Sequence, residues 1–541
     1  MNVRPDLVVC GQVLVAAEPS GPLRAEAVGI SDGRIGLVGT RADVLAAAAP
    51  GARIVEAGGG AVVPGLHDFH IHLVGLARTR SGVLLDDVVD PGELLSILRA
   101  AAAPAEPGTW LTGRGWSDAL LARISPDDLD AAVGDRPAFL SSHDGHSAWA
   151  SAAARRAAGL SASTADPPGG RIERLPNGEP SGILRETALD LVSGLVPREQ
   201  GEALRPALEA TLAELRSYGL TGASEAGDYT DRNGIGADAD LGDSYSTLTD
   251  LAGVLDGRFR MTLGIPVDAI RAAAERGLRT GAPLVGRRSM RFGWAKEYAD
   301  GALGSGTAAL FQPRSCVDDD PGILRVEPAE LDALLAAARP AGIGLAIHAI
   351  GDRAAATVLD AIERAPARLP DVPRDRMEHV QLTRASERWR LAALGVIASI
   401  QPIHAAADRD LIDECWDGRQ DDAYAWRSLA EAGALLAAGS DAPIESANPW
   451  LGVFAARHRR LPADARSDWR PAQSLTILEA LHAYTLGPAL AIGSGDEGHL
   501  RPGAVADLAV LNVSLDALLD GEVDFGAIRA DAVLIDGSPV D

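Results

Sequence analysis

Four short β-prone runs in this chain each end in a residue able to hold a metal ion, and that recurrence limits the folds open to it. Ala61-Val62-Val63-Pro64-Gly65-Leu66-His67-Asp68-Phe69 leads into His70-Ile71-His72. Gly344-Leu345-Ala346-Ile347 ends in His348, Asp375-Arg376-Met377-Glu378 in His379, and Leu435-Leu436-Ala437-Ala438-Gly439-Ser440 in Asp441. In an extended strand residues two apart project to one face, so His70 and His72 can grip one ion. A lone His-x-His occurs by chance in many proteins. Five potential ligands at the C-terminal ends of successive strands are the pattern of a parallel barrel whose active site lies on that face. Helical patterns such as Glu330–Arg339 alternate with the strand candidates, the βα rhythm of such a barrel. Strands are expected near 66–72, 221–225, 260–265, 290–297, 343–348, 375–379, 396–401 and 435–441.

The cationic residues are 49 arginines and one lysine, Lys296, in Gly293-Trp294-Ala295-Lys296-Glu297-Tyr298-Ala299-Asp300-Gly301. A surface ion pair can be made by arginine, whereas an amine that must lose its proton cannot, because guanidinium stays charged. Two roles follow for Lys296: a Schiff base with a carbonyl substrate, or a carbamate formed with carbon dioxide that bridges two metal ions. The strand-end histidines favour the carbamate. An ordinary buried ion pair with a nearby acid is the plain alternative.

At 541 residues the chain exceeds one ordinary domain. Residues 1–64 alternate short apolar runs with Gly and Asp turns, and strand-like segments such as Ala506–Leu511 and Ala532–Gly537 return at the end. The segments 1–64 and 488–541 are therefore expected to combine into one β-sandwich beside a barrel spanning 65–487. The gap from His72 to Gly222 is too long for one helix, so an inserted α/β subdomain, about 77–215, is expected over the barrel mouth. The formal charge of −25 argues against nucleic-acid or anionic-membrane partners. The N-terminus lacks a long apolar core after a basic start and no window approaches a membrane span, which points to a cytoplasmic protein. Cys10, Cys316 and Cys415 read as ordinary thiols, too few and scattered for a disulfide framework.

Seven segments in order carry a family resemblance: Pro64–His72, Asp144-Gly145-His146-Ser147-Ala148-Trp149, Ala299–Ser305, His348-Ala349-Ile350-Gly351-Asp352-Arg353, Arg376–Gln381, Gln401-Pro402-Ile403-His404 and Gly439-Ser440-Asp441-Ala442-Pro443. Over nearly the whole chain the sequence resembles the amidohydrolase superfamily, in the branch containing N-substituted formamide deformylases. His67, just ahead of the aspartate, is unusual for the first motif. The resemblance implies a TIM-like (β/α)8 barrel with the terminal β-sandwich. It also implies assembly as a dimer or larger, and a small-molecule amide of N-acyl or N-formyl type as substrate.

By that resemblance a carboxylated Lys296 bridges two divalent ions, zinc first among the candidates. One is held also by His70, His72 and Asp441, the other by His348 and His379. A bridging hydroxide, formed near neutral pH because metal binding lowers the water pKa to about 7 in favourable zinc sites, is the nucleophile. Asp441 takes its proton and hands it to the leaving nitrogen. His146 and His404 are placed near the substrate carbonyl, with a structural loop role as the alternative. Two competing readings remain: one metal on His70, His72, His348 and Asp441 with deaminase-like chemistry, which needs no carbamate, and a non-catalytic metal-binding relative, which would be expected to have lost a ligand.

Other groups take a plainer reading. His458, His482 and His499 are surface or packing residues, His67 lines the first strand, and His143 neighbours the pocket loop. Asp300 fixes a turn after Lys296. Trp110, Trp116 and Trp149 pack a core or stack on substrate. Specificity is assigned to the insertion and to loops 225–245 and 404–424. Asp228–Gly236 reads as a mobile cover, and Arg232 or Arg353 as an anchor for a substrate carboxylate or as a partner of neighbouring acids.

Overall fold

A computed structural model describes residues 4–86, 88–103, 108–197, 199, 201–227, 241–286, 289–316 and 320–540. The expected cover Asp228–Gly236, with Arg232, lies outside these residues.

Eight strands pair in parallel in the order Leu66–Ile71, Leu220–Glu225, Arg260–Pro266, Met290–Tyr298, Leu345–Ala349, Arg376–His379, Ile397–Ile400 and Leu435–Ala438. Each falls on a segment expected from the sequence. The strands are buried on both faces, which is why they read as apolar runs without alternation. Helices such as Pro328–Ala341 and Asp352–Arg364 close the outside through Leu331, Leu335, Val358 and Leu359. The fold is the nearly closed α/β barrel with separate sheets that the sequence implied.

The chain termini share one seven-stranded sheet. Leu508–Leu511 runs antiparallel to Arg53–Pro64, with Leu508 opposite Pro64, and Leu7–Glu18 continues the sheet on the other side. Bulges between Cys10 and Val13 and between Leu14 and Ala16 bend it. Val9, Val13, Val28, Val62, Leu508 and Leu534 then share one core. Arg260, at the base of the third barrel strand, pairs with Asp507 and, at 2.7 Å, with Asp536, tying sheet to barrel. The helix Leu486–Ile492 packs Ala491 and Ile492 against Phe69 and Trp294 of the barrel.

Between the first two barrel strands stands a six-stranded sheet, from Val83–Leu84 to Pro180–Glu186. Its helices Pro91–Ala102 and Pro126–Val133 cover a core containing Leu94, Leu98, Leu129, Trp116 and Trp149. Helix Arg205–Ser217 instead sends Leu208, Leu212 and Leu215 into the barrel core.

The cysteines require a correction. Cys316 and Cys415 are joined by a disulfide across 99 residues of sequence, and only Cys10 is a free, buried thiol. Spacing alone could not reveal the pair. The loop after the fourth strand folds back onto the end of helix Pro402–Cys415, where Ser315 N–H donates to the Cys415 carbonyl at 2.9 Å. Among the described residues no helix is long and apolar enough to cross a membrane.

Candidate metal centre

The first and eighth barrel strands meet at a seam, and the expected ligands collect there. Asp441 N–H donates to the His70 carbonyl at 2.7 Å, and His72 N–H to the Ala442 carbonyl at 2.8 Å. Asp68 Oδ1 ties both sides, accepting from His70 N–H at 3.1 Å and Ser440 N–H at 2.9 Å. Burial pushes the Asp68 carboxyl up to about 6 despite these bonds. Only glycine fits at 439, because a Cβ there would lie 2.3 Å from His70 N. Phe69 and Ile71 pack into apolar clusters while the alternate residues His70 and His72 face Asp441. Asp441 Oδ1 lies 3.3 Å from Nε2 of each histidine.

Behind His70, Nδ1 donates to Glu378 Oε2 at 2.5 Å, which fixes the tautomer and leaves Nε2 toward Asp441. Arg376 pairs with Glu378, donates to the Phe69 carbonyl at 2.6 Å, and sits 3.9 Å over the Phe69 ring. Burial alone would raise the Glu378 carboxyl, but Arg376 and His70 outweigh it and hold the group well below the usual carboxylate range. Glu378 and His379 are consecutive, and a regular strand would send them to opposite faces. Positive φ values at His379 (73°) and Val380 (47°) break that alternation, so the His379 ring lies 5.1 Å from the His70 ring. Asp441 is left-handed too, at φ 61°. Backbone strain of this kind gathers at functional sites.

Lys296 lies on the fourth strand, its Nζ 4.7 Å over the Tyr298 ring. Burial draws its amine down to about 8, against the pull of Glu378 and Asp441. Lys296 Nζ, His70 Nε2 and His379 Nδ1 are all buried without a hydrogen-bond partner. Buried polar atoms are normally satisfied, so three orphans in one place fit a bound cation. A nitrogen and oxygen donor set suits zinc or a similar divalent ion.

Two donor groups come together, His70 with His72 and Asp441, and His379 with His404 and Asp441, the atoms of each within 4.8 Å of one another. The first is the trio expected around one ion. In the second His404 stands where His348 was expected. His348 lies on its own strand end, its ring 4.6 Å from that of His379, but its Nε2 faces the Gly301 carbonyl at 3.0 Å. Asp300 accepts backbone N–H bonds from Ile350, Gly351 and Ala309, at 3.0, 2.8 and 2.8 Å, and so holds the loop beside His348.

His404 lies in the first turn of helix Pro402–Cys415 and approaches Asp441 Oδ2 at 3.1 Å. Glu445 lies 3.6 Å from its other nitrogen and 3.4 Å from His143, which bonds Asp86 at 3.0 Å. Burial would lower His404, yet Asp441 and Glu445 push it up to about 10. His146 belongs to the insertion, where its Nδ1 bonds the buried Glu186 at 3.0 Å, and its ring lies 5.1 Å from that of His348. A cavity of about 320 Å³ opens over the donors, with Trp116, His143, Asp144 and His146 from the insertion and His404, Asp408 and Leu411 from the barrel side.

Residues 53–541 match the sequence profile of the amidohydrolase family. The chain belongs to the amidohydrolase family. This amidohydrolase is 30% identical over 507 residues to N-substituted formamide deformylase of Arthrobacter pascens, covering 90% of each chain. It is 31% identical to the putative amidohydrolase YtcJ of Bacillus subtilis (strain 168), over 90% of this chain and 91% of that one. Protein LONG AFTER FAR-RED 3 of Arabidopsis thaliana is 30% identical, over 94% and 87% respectively. Among solved structures, an uncharacterized metal-dependent hydrolase from Pyrococcus furiosus superposes with a TM-score of 0.69 at 25% identity, covering 92% of this chain and 97% of that one. Family and neighbours make the amidohydrolase a metal-dependent hydrolase in class.

Within it the remaining histidines have ordinary partners. His67 bonds Ser224 at 3.0 Å, His458 bonds Asp468 at 3.0 Å, and His482 bonds the Ala17 carbonyl at 2.8 Å. Trp116 donates to the Leu140 carbonyl at 2.6 Å while also lining the cavity. Arg353 is exposed. Four acids around the centre went unread in the sequence: Glu378, Glu445, Asp408 and Glu186. Only Glu378 left a signal, as a carboxylate beside a strand-end histidine.

Proposed function

We propose that this protein hydrolyses the C–N bond of a small N-acyl or N-formyl amide at a centre of two divalent ions, with zinc the first candidate. The observation that carries the reading is the convergence of three buried, unpartnered donors, on His70, Lys296 and His379, beside Asp441 and beneath a cavity. The 30% identity to a protein named N-substituted formamide deformylase supports the substrate class.

His70, His72 and Asp441 would hold one ion, and His379 with His348 the other, with Lys296 as a carbamate between them. When bound, such ions supply a water ionised near neutral pH and a Lewis acid for the carbonyl. The chain supplies the rest. Burial keeps a usable fraction of the Lys296 amine neutral, as reaction with carbon dioxide requires. Asp441, with Oδ2 toward His404 and Oδ1 toward the histidine pair, is set to take a proton and return it to the leaving nitrogen. His404 would orient that carboxylate, and His146, braced by Glu186 and lining the cavity, would address the substrate carbonyl. A cytoplasmic location stays within the proposal on the sequence argument; the Cys316–Cys415 bond, of a kind uncommon in reducing compartments, is what tests it.

The experiment is metal analysis by inductively coupled plasma mass spectrometry on protein purified without chelator, followed by assay of N-formyl and N-acyl amines. About two equivalents with amide turnover meet the proposal. About one equivalent, with release of ammonia from a deaminase substrate, would replace it by the mononuclear reading. No metal uptake with added bicarbonate would remove it.

A further inference from the structure

The cavity over the centre is lined by four carboxylates, Asp144, Asp408, Asp441 and Glu445. Three are matched. Asp441 faces His70, His72 and His404; Glu445 lies between His143 and His404; Asp144 accepts from Ser142, Ser305 and the His146 backbone. Asp408 is different. Its Oδ2 accepts from the Tyr424 hydroxyl at 2.5 Å, and among the described residues Oδ1 has no hydrogen-bond partner and the group makes no direct ion pair, the charge of His404 acting on it only through space. Burial raises the carboxyl to about 6, which leaves it charged at neutral pH.

The position of Asp408 is as informative as its state. It follows His404 by one turn of helix Pro402–Cys415, so both residues lie on the cavity face, about 6 Å apart along the axis. Ala407, Leu411 and Ile444 line the wall beside it. Tyr424, which holds the carboxylate, is buried and fixed by Arg459, whose Nη1 donates to its carbonyl at 2.8 Å. No step proposed at the metal centre uses Asp408. His404, one helical turn away, is the cation that acts on Asp408, but its own ring nitrogens face Asp441 and Glu445, so Asp408 Oδ1 stays open to a cationic group of a ligand.

We propose that Asp408 is a specificity-determining residue that selects amides bearing an ammonium group, joined by a short methylene chain to the scissile amide. The chain would lie along Ala407 and Leu411, with the ammonium against Asp408 Oδ1. This rests on the amide-hydrolase reading above.

The test compares two amides of equal size, monoformylated straight-chain diaminobutane and N-formylpentylamine, by kcat/KM. Wild-type enzyme is expected to prefer the ammonium amide at least about tenfold, the worth of one charge-assisted hydrogen bond. In Asp408→Asn the ratio of the two should fall to about one, and Asp408→Glu should keep the preference but move it toward a shorter diamine. Equal rates in wild type, or a ratio that survives Asp408→Asn, overturn the proposal. If the metal-loaded enzyme turns over neither amide, the hydrolase reading has failed, and calorimetry with free diaminobutane and pentylamine decides for Asp408. Tighter binding of the diamine to wild type, lost in Asp408→Asn, upholds it; equal binding overturns it.

Discussion

His70 donates its Nδ1 proton to Glu378 at 2.5 Å, so the carboxylate, itself locked by Arg376, decides which nitrogen of His70 is presented at the seam. Partners of this type behind a ligating histidine raise its basicity and fix its ring. Glu378→Gln should therefore weaken metal binding by about 10–100-fold while leaving the fold intact. Competition with a chromophoric chelator measures it, and unchanged affinity would show that the pair only packs.

Lys296→Arg keeps the charge but cannot form a carbamate. The variant should hold less metal than wild type and lose most activity, read by mass spectrometry of the metal and by amide turnover. Full metal content at the wild-type rate would return Lys296 to a structural role.

Gly439→Ala places a Cβ 2.3 Å from the backbone nitrogen of His70 and 2.8 Å from its Cα, so backbone must shift. Overpacking of this sort costs about 1–3 kcal/mol or more. We expect a lower melting temperature together with loss of metal, because the same seam sets His70 against Asp441. Stability lost with metal affinity intact would uncouple seam from site.

His143 bonds Asp86 and Glu445, which push it up to about 10 from an ordinary 6.5. A group whose folded pKa is raised contributes its stabilisation in full below the unfolded value and loses it as pH climbs through the folded one. The stability advantage of wild type over His143→Asn should thus be largest below about pH 6.5 and shrink as pH rises toward 10. Melting curves of both proteins across that range check it; a constant difference would mean that His143 contributes only by packing.

The disulfide Cys316–Cys415 closes a loop of 99 residues. Replacing both cysteines by serine should cost about 2–4 kcal/mol in thermal or denaturant unfolding. No change would mean that the hydrogen bonds around Ser315 already hold the two segments together.

Much of the fold and of the site is legible in the sequence. The barrel could be read because its strands are buried on both faces and four of the runs lead into a residue able to hold a metal, as Leu345–His348 does. The seam could be read because the first and last strands of a closed barrel are neighbours, bringing His70-Ile71-His72 beside Asp441. What stayed hidden depended on departures from regular geometry or on pairing across elements. The left-handed turn at His379 lets Glu378 and His379 serve one site, which period-two alternation forbids. Asp408 and Glu445 gain meaning only from the cavity they line, and Cys316 meets Cys415 only because a loop folds back.

The seam also governs when the protein can begin to work. Asp68 and Ser440, bonded across it, are 372 residues apart in the chain. A ribosome releases the histidine pair early and Asp441 late, so the growing polypeptide passes through most of its synthesis with the candidate trio lacking its carboxylate. A chain that stops short of the eighth strand lacks both Asp441 and the residues that close the seam on His70, so the site and the closed barrel are completed by the same late segment.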